Sequence, residues 1–153
     1  KPKSNFNLKL VKLKREKPQF KNLKYKKILS YLSKIDNSQS DIALVSNKKI
    51  LETGTSNLLF VKDQKFFTPK KGYYVGNTYK FFKTKISKII KKDILLKEIK
   101  NYDEILLIGS GKGVTSVRTI NEIKWRRKNL KKFNILSKHY DAVINKCNFY
   151  KFK

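Results

Sequence analysis

Between Asp41 and Phe82 the chain reads D-I-A-L-V-S-N-K-K-I-L-E-T-G-T-S-N-L-L-F-V-K-D-Q-K-F-F-T-P, then K-K-G-Y-Y-V-G-N-T-Y-K-F-F. This stretch leaves few ways to fold. Three β-type runs, Ile42 to Val45, Leu58 to Val61 and Lys65 to Thr68, are separated by short polar turns. Ile42 to Val45 is apolar throughout, which predicts a central strand. Asn47-Lys48-Lys49 and Asp63-Gln64 are spaced for hairpin turns. One acid, Glu52, stands at the end of the strand resumed by Ile50-Leu51. A small-residue turn, Thr53 to Ser56, leads from it to Asn57. Thr68-Pro69 opens a loop that ends at Gly76-Asn77-Thr78, where a helix is expected from Asn77 to about Lys91. Phe81, Phe82, Ile86, Ile89 and Ile90 form its apolar side.

Around this stretch the pattern predicts one domain, long enough at 153 residues for a real core, without repeats or an interdomain linker. The first six residues read as a disordered lead-in. Asn7 to Lys14 alternates through Leu8, Leu10 and Leu13, with Val11 off-phase, and predicts a strand closed by Pro18. A helix is expected from about Asn22 to Lys34. Asp93 to Leu96 reads as a short strand, Lys97 to Asn101 as a helical turn, and Tyr102 to Ile108 as a buried strand. That strand runs into Gly109-Ser110-Gly111-Lys112-Gly113. Val114 to Ile120 is a further strand, Leu130 to about Asn145 the last helix, and residues 149–153 a tail.

Thirty-eight basic residues face eleven acids, for a net charge of +27, and only Arg15, Arg118, Arg126 and Arg127 are arginines. Two readings stand side by side. One is a polyanion-binding surface. The other is a bias imposed on the whole chain, because the lysines are scattered from end to end and Ala43 and Ala142 are the only alanines. No helix-turn-helix, RNA-recognition sheet motif or zinc pattern is present, and one histidine (His139) with one cysteine (Cys147) cannot build a structural metal site. The single cysteine excludes an internal disulfide. No stretch has the apolar length of a membrane span, and no signal-peptide core is seen, so a cytoplasmic protein without membrane partners is expected. A chain that opens on Lys1 and holds no methionine is expected to begin downstream of a true start, with sequence missing in front.

The candidate chemistry lies in the order of small features. A lone carboxylate at a strand end can meet a cationic ring nitrogen. A glycine followed by Asn-Thr at a helix start offers free N–H groups and a hydroxyl to a phosphate. Pyridoxal phosphate has both features and also needs a lysine. Each feature alone has a plain alternative: Glu52 a solvated strand-end acid, Asn77 or Thr78 a helix cap, Asn57 a residue pinning its own turn, Gly109 to Gly113 an ordinary turn. The G-S-G-K-G run lacks the spacing of a nucleotide-binding loop, and a strand rather than a long helix is expected after it.

Taken in order, a lysine before a helix, E-x-x-x-S-N, T-P, G-N-T and G-S-G-K-G-V-T-S-V-R resemble the C-terminal half of the fold-type IV (class IV) pyridoxal-phosphate enzymes. These include branched-chain and D-amino-acid aminotransferases and 4-amino-4-deoxychorismate lyases. The resemblance covers about residues 8 to 145. It implies an α/β fold, the C-terminal domain of the D-amino-acid aminotransferase-like architecture: a mixed sheet or pseudo-barrel with flanking helices, over residues 7–148. It further implies pyridoxal 5'-phosphate as cofactor, an amine or amino-acid substrate, a homodimer, and a preceding small domain absent from this chain. Residue by residue, Lys21 matches the lysine that takes the cofactor covalently, with Lys24 the alternative register. Glu52, 31 positions later, matches the acid on the pyridine nitrogen. Asn57 matches the signature asparagine, Asn77 and Thr78 the phosphate-holding helix start, and Ser110 and Gly111 the second phosphate loop. Leu59, Tyr79 and Ser116 depart from the family's usual aromatic, arginine and proline. The G-K-G-V-T-S-V-R loop is closer to the lyases, so the resemblance implies release of pyruvate and 4-aminobenzoate in the folate pathway. A branched-chain or D-amino-acid aminotransferase is the alternative. A basic nucleic-acid-binding module and an inactive fragment are readings of another class.

Overall fold

Two-residue turns build the hairpins that the sequence marks out. Asn47 and Lys48 (φ 49° and 59°) and Asp63 and Gln64 (φ 49° and 62°) all take the left-handed conformation. That geometry matches the right-handed twist of the strands they join. The computed structural model describes residues 3–20 and 25–146. In chain order these form β1 (Lys3–Lys12), α1 (Lys26–Leu32), β2 (Ser40–Ser46), β3 (Lys49–Thr53), β4 (Asn57–Lys62), β5 (Lys65–Pro69), α2 (Asn77–Lys85), β6 (Ile89–Lys92), β7 (Ile94–Leu95), β8 (Glu104–Gly109), β9 (Gly113–Ile120), β10 (Trp125–Arg126) and α3 (Lys131–Ile144).

The strands make one mixed sheet in the order β6-β5-β4-β8-β9-β1-β2-β3-β7, with β10 paired to β9. The β1–β2, β1–β9 and β5–β6 pairs are parallel. Although far apart in this order, β3 packs beside β4 and β5. The sheet therefore curls on itself, as expected for a pseudo-barrel. Period-2 alternation divides the core. Leu58 and Phe60 of β4 join Phe6, Leu8, Ile105 and Leu107 on one face. Leu59 and Val61 turn the other way, to Phe82 of α2 and Phe133 of α3. A smaller cluster seats Ile28 and Leu32 of α1 on Val11, Ile42 and Leu44.

Several boundaries differ from the sequence reading. The first strand begins at Lys3, not Asn7, and stops at Lys12, well short of Pro18. Val11 is off-phase because it faces α1, while Phe6 and Leu8 face the barrel. The helix expected to Lys91 ends at Lys85. Ile89 and Ile90 keep helical spacing, but they pair with Phe66 and Phe67 as β6. β10 was not foreseen; a two-residue strand has no period of its own. The described part of the first helix is Lys26–Leu32. Its expected start at Asn22 and the tail at 149–153 lie outside the described residues. Among the described residues, no helix is long and apolar enough to cross a membrane, and no group of His, Cys, Asp or Glu could hold a metal ion.

One core residue carries a prediction. Tyr102 packs on Phe60 and Phe67, with ring centroids 5.2 and 5.8 Å away. Burial first, and then the charge of Glu98, push its phenol up to about 12. A group whose folded value is raised gives stability that is complete below its unfolded value of about 10 and lost as pH rises through about 12. The loss is on the order of 2–3 kcal/mol. In denaturant titrations from pH 9 to 12, Tyr102→Phe is expected to show a shallower alkaline decline than the parent. Parallel declines would contradict this.

Candidate active site

The site is assembled at the ends of strands where the sheet curls. α2 starts at Gly76, which is extended (φ −74°, ψ 160°), and no side chain caps its first turn among the described residues. Neither Asn77 nor Thr78 acts as the cap that the plain reading allowed. The loop leading into α2 is held instead by Asn57, the first residue of β4. Its amide donates to the Tyr74 carbonyl, and its Oδ1 accepts from Gly76 N at 3.0 Å. Asn57 thus pins a loop 17 to 19 residues away, not its own turn. Thr78 turns its hydroxyl to Ser110, with the two oxygens 3.2 Å apart. This joins the start of α2 to the β8–β9 loop. The free N–H groups of a nine-residue helix and two hydroxyls therefore converge.

Glu52 is the second pole. It lies in β3, 3% exposed. Arg15 Nε donates to its Oε1 at 2.6 Å, and Tyr74 N donates to Oε2 at 3.3 Å. Burial raises the carboxyl above its ordinary range, and Arg15 and the Tyr74 N–H offset only part of that. Such a carboxylate gains strongly from one further cationic donor. Arg15 also lies over the Tyr25 ring, 4.7 Å from its centroid.

The two poles line one cleft of about 350 Å³, bounded by Arg15, Tyr25, Glu52, Asn57, Thr78, Ser110 and their neighbours. Asn77 and Gly111 are on its wall as well. The structure thus brings together Glu52, Asn57, Asn77, Thr78, Ser110 and Gly111. Lys21 and Lys24 lie outside the described residues. The chain on either side of them reaches the cleft at Arg15 and Tyr25. The departures Leu59, Tyr79 and Ser116 are off the cleft wall. Leu59 and Tyr79 are packed in the core, and Ser116 accepts from Arg127 Nη1 at 2.9 Å.

Sequence reasoning missed Arg15, although the chain held a signal for it. In a protein with 34 lysines and four arginines, an arginine marks a site that a lysine's point charge cannot serve. Arg15 bonds one carboxylate and stacks on a ring. Arg127 forks to the Ser4 carbonyl, Ser116 Oγ and Asn5 Oδ1.

The donor set suits pyridoxal phosphate. An uncapped helix start with two hydroxyls fits its phosphate, and a buried, under-compensated carboxylate fits its ring nitrogen. The sequence model for amino-transferase class IV matches residues 4–120. No curated protein matches the chain by sequence. Among solved structures, the branched-chain aminotransferase of Thermoproteus uzoniensis superposes with a TM-score of 0.78 at 15% identity, over 92% of this chain and 52% of that one. The branched-chain aminotransferase of T.th., complexed with N-(5'-phosphopyridoxyl)-L-glutamate, gives 0.78 at 14% identity, over 95% and 54%. The 4-amino-4-deoxychorismate lyase of Pseudomonas aeruginosa gives 0.71 at 16% identity, over 96% and 56%. At such identities the likeness is one of fold, and the chain spans about half the length of each structure.

Proposed function

The chain belongs to the amino-transferase class IV family, and from that premise we propose that its cleft binds pyridoxal phosphate and acts on a small amine, most specifically as a 4-amino-4-deoxychorismate lyase. The observation that carries this reading is the joint presence, in one cleft, of buried Glu52 and the uncapped α2 start with its Thr78–Ser110 hydroxyl pair.

Each residue has a task that its surroundings suit. Thr78, Ser110 and the first N–H groups of α2 take the phosphate. Glu52, fixed by Arg15, keeps a proton on the pyridine nitrogen. Asn57 holds the loop that positions both. Lys21 Nζ is the group proposed to hold the cofactor and to take the proton from the substrate's carbon beside nitrogen. When bound, the cofactor supplies an electron-accepting ring for that carbon. For the lyase, the products are pyruvate and 4-aminobenzoate. The aminotransferase is the alternative reading, and the fold likeness does not choose between the two, since lyase and branched-chain aminotransferase structures alike superpose at TM-scores of 0.70–0.78. In keeping with the family, we expect the active unit to be a homodimer.

The test is incubation with pyridoxal phosphate, borohydride reduction and peptide mapping. Labelling confined to Lys21 is expected. Labelling at Lys24 keeps the cofactor and moves the lysine, whereas diffuse labelling over the 34 lysines would overturn the reading for this chain. With 4-amino-4-deoxychorismate, 4-aminobenzoate supports the lyase. Formation of 2-oxo acids from amino acids without 4-aminobenzoate would favour the aminotransferase.

A further inference from the structure

Asp41, on β2, is wholly buried at 0% exposure. Its Oδ1 accepts from Ile42 N at 2.8 Å. Its Oδ2 accepts from Thr53 Oγ1 at 3.0 Å, Thr55 Oγ1 at 2.6 Å and Lys112 Nζ at 2.9 Å. The lysine reaches it from the Gly109–Gly113 loop, 71 residues away, and its ammonium lies 4.7 Å from the centre of the Phe6 ring. Neither Asp41 nor Lys112 is on the cleft wall, yet the segments they join supply Thr55 and Ser56 on one side and Gly109, Ser110 and Gly111 on the other. These segments meet closely through small residues. A Cβ on Gly109 would stand 2.6 Å from Ser56 Oγ and 3.3 Å from the Thr55 carbonyl oxygen. The β4–β8 ladder that holds the two segments together ends at Asn57 opposite Ile108, and beyond it the ion pair with its shared set of hydroxyl donors is the strong tie to the loop tip.

We propose that Lys112 is a positioning residue: through Asp41 it locks the Gly109–Gly113 loop to the Thr53–Ser56 turn, making one rigid cradle for the phosphate of the ligand. This rests on reading the cleft as a pyridoxal phosphate site. Ser110 is at the tip of the locked loop and shares its hydrogen bond with Thr78. Releasing the lock lets that hydroxyl and the loop N–H groups drift away from the start of α2. Misplacement on the order of 1 Å is enough to cost binding groups their alignment.

The experiment compares the affinity of pyridoxal phosphate with that of pyridoxal, which lacks only the phosphate, in the full chain at fixed ionic strength. The variants are Lys112→Met and Asp41→Asn, with thermal melts alongside. Both are expected to lower the preference for the phosphorylated ligand by about tenfold while pyridoxal binding changes little. Asp41→Asn is the sharper case. It makes the protein more positive, so simple attraction of the phosphate would tighten binding, whereas release of the loop weakens it. Should Lys112→Met fail to fold, Asp41→Asn decides alone. A phosphate preference unchanged or increased in Asp41→Asn overturns the proposal, as does equal loss of both ligands in step with the melting temperature. If the parent protein itself shows no preference for pyridoxal phosphate over pyridoxal, the reading of the cleft fails, and Lys112 loses this role with it.

Discussion

Arg15→Met is expected to lower the stability of the folded chain by about 3–5 kcal/mol at neutral pH. The reason is what it leaves behind. Arg15 and Glu52 have side chains only 6% and 3% exposed and meet at 2.6 Å. With the guanidinium gone, Glu52 keeps the backbone N–H of Tyr74 at 3.3 Å as its remaining described donor. For a domain of this size that loss lowers the melting temperature by roughly 10 °C. The double variant Arg15→Met with Glu52→Gln is expected to recover more than half of the deficit, because no buried charge is then stranded. The pH dependence follows the same logic. Burial already holds the Glu52 carboxyl above its ordinary range, and Arg15 is the main opposing influence. Without Arg15 the folded value rises further, so the native state of the variant holds a proton that the unfolded chain releases. Stability is then present below the unfolded carboxylate value and is lost as pH rises through the folded one, so the deficit narrows from pH 7 toward pH 5. Urea titrations of the parent, Arg15→Met, Glu52→Gln and the double variant at both pH values check this. Simply additive losses, or a deficit independent of pH, would mean that the pair is not coupled as the geometry indicates.

The same pair shows what could be read from the chain and what could not. Glu52, Asn57, Asn77, Thr78, Ser110 and Gly111 were legible as candidates, although each alone also had a plain structural alternative. An isolated acid, a small-residue turn and a glycine before a helix each stand out against lysine-rich surroundings. Their convergence on one cleft was legible through their order, which resembles that of a known family. Arg15 was not, since nothing local ties it to an acid 37 residues later. The boundaries failed for related reasons. Lys3 to Phe6 shows no alternation, and it becomes strand through parallel pairing with β9, more than a hundred residues downstream. Ile89 and Ile90 satisfy a helical period and a strand equally well, and the free edge of β5 decides between them. The role of Asn57 was half legible. Its side-chain bond to backbone was foreseen, but its target in the loop before α2 depends on the curl of the sheet. Even the lysine that the sequence offers cannot be told from its neighbours by composition, which is why the labelling experiment matters more here than in an ordinary chain.

Glu104→Ala is the second large effect, expected to cost about 3 kcal/mol. α3 begins at Leu130 with no side-chain cap of its own. Lys131 N donates to Asn129 Oδ1 at 3.1 Å, and the next two N–H groups are met from the sheet: Lys132 N donates to Glu104 Oε1 at 2.8 Å, and Phe133 N donates to Oε2 at 2.9 Å. Glu104 is 1% exposed, so these are charge-assisted bonds in a place that water does not reach, at the positive end of a helix dipole. The same charge helps to keep Arg127 cationic against the burial that pushes its value down. Removing the carboxylate leaves two N–H groups unmet and weakens the seating of Phe133 and Leu136 on the sheet. Glu104→Gln keeps the shape and one acceptor but turns an amide N–H toward a donor, so about half the loss is expected to remain. Hydrogen exchange should report the change at the start of α3 before it reaches β8. The effect extends to the cleft. A Cβ on Gly113 would stand 2.8 Å from the Tyr140 ring of α3, so the helix backs the base of the loop that carries Ser110 and Lys112. Loosening α3 is therefore expected to weaken the grip on phosphate modestly, in proportion to the lost stability. That proportionality separates it from Asp41→Asn, where the phosphate preference should fall by more than the lost stability accounts for while pyridoxal binding changes little. A cost for Glu104→Ala below about 1 kcal/mol would show that α3 docks through its apolar face alone.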